Sequence, residues 1–374
     1  MMLVGDAHAG QSTPPTDPLP IEPRGVPLPV IGRIIEPIYR AVIARRNGAF
    51  DAGRNVHRVQ GAAGPIPVIS IGNLSVGGTG KTPMVMHVLR LLLENGHRPC
   101  VAMRGYSKSK DGASDETDAY RRAFPDLPIV AQPDRIAGLR ALLERVPPNG
   151  QPDRIVLDDG FQHRQIARDL DVVLIDATPA RSVFDDRLLP AGWLREPVDG
   201  LRRASAVVLT HAELAPKGRI EQLREAIARH TAAPVSVSRH VWTGLKQRIG
   251  EQDQMLPLDV LIGQPVLGCC AIGHPEPFVQ ALVTNAMGDD GFSDVMMRQL
   301  PDHDSFHHTE VERLVRLARD GRSRFIVVTD KDWSKLRHLP DSTWPCPVVR
   351  PDLALVFDSG REEFDRLVLG ARAT

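Results

Sequence analysis

Between positions 67 and 210, short apolar runs alternate with longer stretches in which apolar residues recur every three or four positions. The runs at 68–71, 100–103, 155–157, 172–175 and 207–209 are apolar almost throughout, as expected of strands covered on both faces. The stretches 83–93, stopped by Gly96, and 135–145, stopped by Pro147, carry the helical period. Such alternation predicts a mostly parallel sheet flanked by helices. After about position 235 the pattern weakens through a polar stretch to 253. It then restarts as a second, smaller α/β unit with strands near 266–272 and 325–329.

The N-terminal region reads differently. Residues 1–29 hold seven prolines and little that could build a core, which predicts a disordered or extended leader. From Val30, the residues Ile31, Ile34, Ile35, Ile38, Val42 and Ile43 recur at spacings of three and four, the pattern of an amphipathic helix over 30–50. Pro37 sits best in a first helical turn, so the regular helix is expected to start near Glu36 or to kink there. Six arginines face two acids between positions 31 and 60. A basic face beside an apolar stripe suits an anionic membrane surface, and it equally suits a helix packed on the main domain with solvated arginines.

Length and charge narrow the picture. A chain of 374 residues exceeds what one core usually supports. The expected division is a leader at 1–29, the basic helix at 30–50, a nucleotide-binding domain at 51–235, a linker at 236–253 and a second α/β domain at 254–374. Basic and acidic side chains balance at 46 each, so nothing global points to nucleic acid. Cys100, Cys269, Cys270 and Cys346 lack metal-ligand spacing and read as reduced thiols, mostly in apolar runs. No apolar stretch reaches the roughly 18 residues of a membrane span, and no secretory leader is evident.

The chemistry concentrates in residues 68–83, where a buried strand runs into a glycine-rich turn and then a helix. A triphosphate needs converging backbone N–H groups, and Gly77, Gly78 and Gly80 permit the required close approach around Thr79. Lys81 is placed to reach the β- and γ-phosphates, and Thr82 to offer its hydroxyl to Mg²⁺. Ser75 replaces the first glycine of the strict G-x-x-x-x-G-K-[ST] pattern. The fold class expected is therefore α/β of the P-loop NTPase type, binding ATP with Mg²⁺. A second apolar strand ends in Asp158-Asp159; a carboxylate there commonly holds Mg²⁺ or its water shell, which makes Asp158 the metal candidate with Asp159 beside it.

A longer set of motifs falls in one order along the chain: Gly72-Asn73, Val76-Gly-Gly-Thr-Gly-Lys-Thr-Pro83, Arg104-Gly-Tyr106, Asp158-Asp-Gly-Phe-Gln-His163, Arg187-Leu-Leu-Pro-Ala-Gly192 with Leu194-Arg-Glu-Pro197, Pro301-Asp-His303 and Thr329-Asp-Lys-Asp332. Over roughly positions 30 to 335 the chain resembles the tetraacyldisaccharide 4′-kinase family of lipid A synthesis. The resemblance implies ATP-dependent phosphorylation of the 4′-hydroxyl of a tetraacylated glucosamine disaccharide 1-phosphate. It implies work at the cytoplasmic face of the inner membrane, with the N-terminal helix as the peripheral contact, because a multiply acylated acceptor stays in the bilayer.

The family pattern pairs an Asp with a His as the base. Here Asp115 stands in Ser-Asp-Glu-Thr and His303 in Pro-Asp-His-Asp, so both segments depart from the pattern around the expected residue. The base is left among Asp115, His303 and Asp159. Arg135 and Arg195 lie in segments resembling the family's active-site wall, where an arginine would bind the nucleotide and stabilise charge on the transferred group, and Glu196 is a second Mg²⁺ candidate. Asp304 and Ser305 read as a helix cap. The rival reading is a membrane-associated nucleotide switch that hydrolyses ATP without transferring phosphate to a substrate; that group carries a lysine where this chain has Val76. A metal-dependent hydrolase built on Asp158, Asp159 and His163 is a third, and it leaves the phosphate loop idle.

Overall fold

The computed structural model describes residues 29–105, 115–178, 183–184, 187–250, 252–273, 275–288, 291–301 and 304–373. Helix α1 (Pro29–Asp51) leads to a short hairpin, β1 (Gln60–Gly61) and β2 (Gly64–Pro65), and then to the first α/β half. That half comprises β3 (Val68–Asn73), α2 (Lys81–Glu94), β4 (Pro99–Met103), α3 (Asp115–Ala123), β5 (Ile129–Ala131), α4 (Arg135–Arg145), β6 (Arg154–Asp158), β7 (Leu170–Asp176), β8 (Ala206–Thr210) and α5 (Arg219–Ala228). The second half follows as β9 (Val235–Ile249), β10 (Gln252–Leu256), β11 (Val266–Cys270), α6 (Glu276–Ala286), β12 (Val295–Gln299), α7 (His308–Asp320), β13 (Phe325–Val328), α8 (Asp330–Leu336), β14 (Val348–Ser359) and α9 (Arg361–Leu369).

One sheet runs through both halves in the order β12-β11-β13-β14-β9-β8-β7-β3-β6-β4-β5, with β10 paired to β9. Its strands are parallel except at β9–β14 and β9–β10. In the first half, β3, β4, β6, β7 and β8 are buried along their whole lengths apart from Arg154 at the start of β6, as the continuous apolar runs require. Because those strands are parallel, their C-terminal ends share one edge. The phosphate loop, Asp158-Asp159, Asp176 and Thr210 therefore all emerge there.

The polar stretch expected to be a linker, 236–253, is ordered sheet. Strand β9 holds 15 residues, enough to run roughly 50 Å at about 3.3 Å per residue. Its first residues pair with β8 and its last with β10, while β14 lies antiparallel along most of it. Its charges hid the strand because they are matched across it: Lys246 pairs with Asp352, Arg239 with Asp358 at 2.8 Å and Arg248 with Asp253 at 3.9 Å. The chain then returns to the first half. Phe364, Val368 and Ala371 join the core formed by α2, β3 and β7.

Two local expectations are corrected. Helix α1 begins at Pro29 and continues through the exposed Pro37, since Gly32 and Glu36 before it and Tyr39 and Ile43 after it are seated on the rest of the protein and offset the lost backbone bond. The cap of α7 is His307, while Asp304 instead accepts a hydrogen bond from the Phe306 amide at 2.8 Å.

Candidate active site

The turn between β3 and α2 wraps around the N-terminus of α2, and its shape depends on glycine. Gly77 and Gly80 hold φ of 118° and 76°, values that L side chains rarely adopt. No side chain caps α2 and no acid lies in its first turn, so its leading N–H groups and dipole favour an anion. Asn73 donates to the buried Thr79 hydroxyl at 2.8 Å, and the Thr210 hydroxyl donates to the Thr79 carbonyl at 3.1 Å. Both bonds fix the loop from the sheet edge beneath it.

Beside this loop stands the acidic pair at the end of β6. Asp158 is buried and accepts a hydrogen bond from the Tyr120 hydroxyl at 2.8 Å. Burial pushes its carboxyl above the ordinary range even though Tyr120 and Lys81 pull the other way. Asp159 adopts a left-handed backbone, φ 52°, an uncommon conformation for a non-glycine residue. Its carboxylate receives Arg195 Nη1 at 2.7 Å on both oxygens and Lys81 Nζ at 3.8 Å. Burial would raise this carboxyl too, but Lys81 and Arg195 outweigh it and hold it low. Arg135, buried at the start of α4, donates to the Asp159 carbonyl at 3.2 Å.

A second layer supports these groups. Gln162 donates to the Asn73 carbonyl at 2.7 Å and to Glu196 at 2.8 Å, and its own oxygen faces Arg195 at 3.5 Å. Glu196 is almost fully buried and pairs with Arg203 at 2.7 Å, whose guanidinium lies over the Phe161 ring at 4.4 Å. Residues 193–195 run antiparallel to the phosphate loop: the Val76 amide donates to the Trp193 carbonyl and the Arg195 amide to the Leu74 carbonyl, each at 2.8 Å.

The structure thus brings together Lys81, Asp158, Asp159, Arg135, Arg195 and Glu196 around Gly77–Thr82. Asp115 begins α3, the helix that also carries Tyr120. His303, like the side chain of Asp115 and all of Tyr106, lies outside the described residues. His163 has its basicity reduced to about 4, by burial first and then by Arg135 and Arg168, so it is neutral near pH 7. Tyr120 and Thr210 were not singled out from sequence, and Asn73 and Gln162 entered only as members of longer motifs with no role given. Gln162 could have been given one, since it lies inside the Asp-Asp-Gly-Phe-Gln-His run, whereas Tyr120 reaches Asp158 across 38 positions with no local signature.

Comparison with known proteins bears directly on this arrangement. The model of the tetraacyldisaccharide-1-P 4′-kinase family matches residues 29–369. The chain belongs to that family. A tetraacyldisaccharide 4′-kinase of Anaeromyxobacter dehalogenans is 35% identical over 81% of this chain and 80% of its own length. One from Syntrophus aciditrophicus is 31% identical over 94% of this chain and 95% of its own. Among solved structures, an LpxK from Aquifex aeolicus in complex with ATP superposes with a TM-score of 0.67 at 27% identity, covering 91% of this chain and 98% of that one. The resemblance read from the motifs is thereby borne out, as is the mostly parallel α/β fold.

Proposed function

We propose that this kinase transfers the γ-phosphoryl group of ATP to the 4′-hydroxyl of a tetraacylated glucosamine disaccharide 1-phosphate. The observation that carries the reading is the pairing of Lys81 and Arg195 on one carboxylate, Asp159, beside an uncapped α2 N-terminus. Gly77, Gly78, Thr79, Gly80, Lys81 and Thr82 seat the phosphates, and two fixed cations neutralise charge spreading over the transferred group. The acceptor oxygen bonds to the γ-phosphorus, the bond to the bridging oxygen breaks toward ADP, and the hydroxyl proton passes to a base.

Asp159 is a poor base because two cations hold its carboxyl low. We assign it the role of counterion that keeps Lys81 and Arg195 aimed, which leaves the proton to Asp115 and His303. Mg²⁺ fits the acids present: Asp158 is a crowded, buried carboxyl whose charge a cation would relieve, and Thr82 adds a hydroxyl. Among the described residues no three His, Cys, Asp or Glu side chains form a metal cluster; Asp158 and Thr82 are the groups that would hold the ion beside the nucleotide. When bound, it supplies charge neutralisation at the β- and γ-oxygens. Glu196, already paired with Arg203, connects to Asp159 through Gln162 and Arg195.

Helix α1 supports contact with the cytoplasmic face of the inner membrane. Ile31, Ile34, Ile35, Ile38 and Val42 are all exposed on it, Ile34 at 74% and Ile38 at 66%, and Arg45 and Arg46 fall on either side of the ridge near its C-terminal end. No described helix is long and apolar enough to cross a membrane; we read the contact as peripheral from the exposed apolar ridge of α1.

The test is incubation with γ-labelled ATP, Mg²⁺ and the disaccharide lipid in vesicles. Label on the lipid is the expected result. Label released only as inorganic phosphate would replace the kinase with the switch reading.

A further inference from the structure

The face of α1 that lies about a third of a turn round from its apolar ridge is seated on the polypeptide that builds the transfer site. Residues 32, 36, 39, 43 and 47 follow the helical repeat along that face, and each meets the body of the protein. A Cβ on Gly32 would lie 2.6 Å from the Pro190 carbonyl oxygen, so the helix approaches the 187–197 segment backbone to backbone. Glu36, only 7% exposed, accepts hydrogen bonds from Arg40 at 3.0 Å, Arg187 at 3.2 Å and the Leu188 amide at 3.4 Å. The Tyr39 hydroxyl donates to the Arg195 carbonyl at 2.8 Å. Ile43 is buried. Asn47 donates to Glu196 Oε2 at 3.4 Å, and its own carbonyl receives Arg164 at 3.1 Å.

The same segment is stitched on its other side to the phosphate loop through the Val76–Trp193 and Arg195–Leu74 backbone bonds. Arg195 in turn holds both oxygens of Asp159. An uninterrupted line of hydrogen bonds therefore runs from the membrane-facing helix through residues 193–196 to the phosphate loop and the acidic pair. A simple anchor requires none of these contacts; a hydrophobic helix on a tether would dock as well. What they supply is position. A shift of a few tenths of an ångström in the Arg195 main chain moves a guanidinium whose value lies in where it points.

We propose that Tyr39 and Asn47 of α1 are positioning residues for phosphoryl transfer, setting the Arg195–Glu196 pair so that the seating of the membrane-facing helix is coupled to catalysis. This rests on the kinase reading above. Tyr39 acts on Arg195 through its carbonyl, and Asn47 on Glu196 through its carboxylate. Neither touches substrate.

The experiment uses the full chain, with the tetraacylated disaccharide dispersed in nonionic detergent micelles at saturating ATP and lipid, so that membrane docking does not limit the rate. Tyr39→Phe removes one hydroxyl and leaves the ring. The expected result is a kcat lowered roughly 5- to 20-fold, with the lipid KM within about twofold and an unchanged thermal midpoint. Asn47→Ala should lower kcat in the same direction but less, about 2- to 5-fold, and Asn47→Gln should recover part of it.

Wild-type kcat for Tyr39→Phe in micelles, with loss confined to anionic vesicles, would reduce α1 to an anchor and overturn the proposal. So would a fall in rate that merely tracks the fraction of unfolded protein. Absence of lipid phosphorylation by the wild-type chain in the same micelles is a separate outcome, and it sinks the kinase reading on which the proposal stands.

Discussion

Each half of the molecule sets an aspartate near the C-terminal end of a parallel strand, fully buried in the second half and partly exposed in the first, and the two are treated in opposite ways. In the second half, Asp332 is fully buried in α8 and its needs are met close at hand: it accepts from the Ala271 amide at 2.9 Å and the Thr329 hydroxyl at 2.7 Å, with Lys335 at 3.5 Å. The Thr329 hydroxyl also accepts from the Asp332 amide, so the group closes the turn between β13 and α8. In the first half, Asp159 receives no backbone amide among the described contacts. Its partners are the ends of two long cations, Lys81 and Arg195, brought in from α2 and from residue 195. A carboxylate tied by a backbone amide and a neighbouring hydroxyl holds a fold. One tied by two cationic side chains beside an uncapped helix holds charges in readiness for an anion.

That contrast can be broken most forcefully at Asp159. Asp159→Asn should lower single-turnover transfer about 10²- to 10³-fold while leaving the unfolding midpoint near wild type; rapid quench and thermal unfolding on the same sample check both. Asp332→Ala should do the reverse. Losing a fully buried acceptor and orphaning the Ala271 amide is expected to cost about 2–4 kcal/mol of stability in denaturant titration, with transfer per folded molecule within about twofold.

A smaller effect is expected at the boundary between the halves. The His240 imidazole, on β9 and against Gly80 of the phosphate loop, is held down to about 3 by burial first and by neighbouring His211 second. In the unfolded chain an ordinary histidine takes a proton near pH 6.5. The unfolded state therefore binds the extra proton, and stability falls as pH drops from about 6.5 toward 3, by up to about 1.4 kcal/mol per pH unit. His240→Gln should flatten that acid limb in thermal midpoints taken between pH 7 and 4.5. The smallest change is expected at Arg122, on α3, which meets Asp330 of α8 across the halves at 3.2 Å with both side chains well exposed. Arg122→Ala should cost less than about 1 kcal/mol, and the difference should vanish in high salt.

Where the physics is local, the sequence carried the structure. The apolar runs of β3, β6, β7 and β8 need no partner to be recognised, and Arg135–Arg145 is bounded by an Asp134 cap at one end and Pro147 shortly after the other. The phosphate loop and the acidic pair were equally plain, because glycine, lysine and threonine between a strand and a helix have few other uses. What stayed hidden depends on distant partners. Strand β9 looks like a polar linker until Asp352, Asp358 and Asp253 are set against its lysine and arginines. Nothing near position 120 announces that Tyr120 would meet Asp158. The inner face of α1 is similar: its spacing gave the helix, yet its bonds to Arg195 and Glu196 come from residues about 150 positions away.

The account stands most directly on Lys81, the cation shared between the phosphate loop and Asp159. Single-turnover transfer of label from ATP to the disaccharide lipid should fall by about 10³-fold or more in Lys81→Ala, with the lipid still bound and the fold intact. A Lys81→Ala protein that phosphorylates the lipid at the wild-type rate would contradict it.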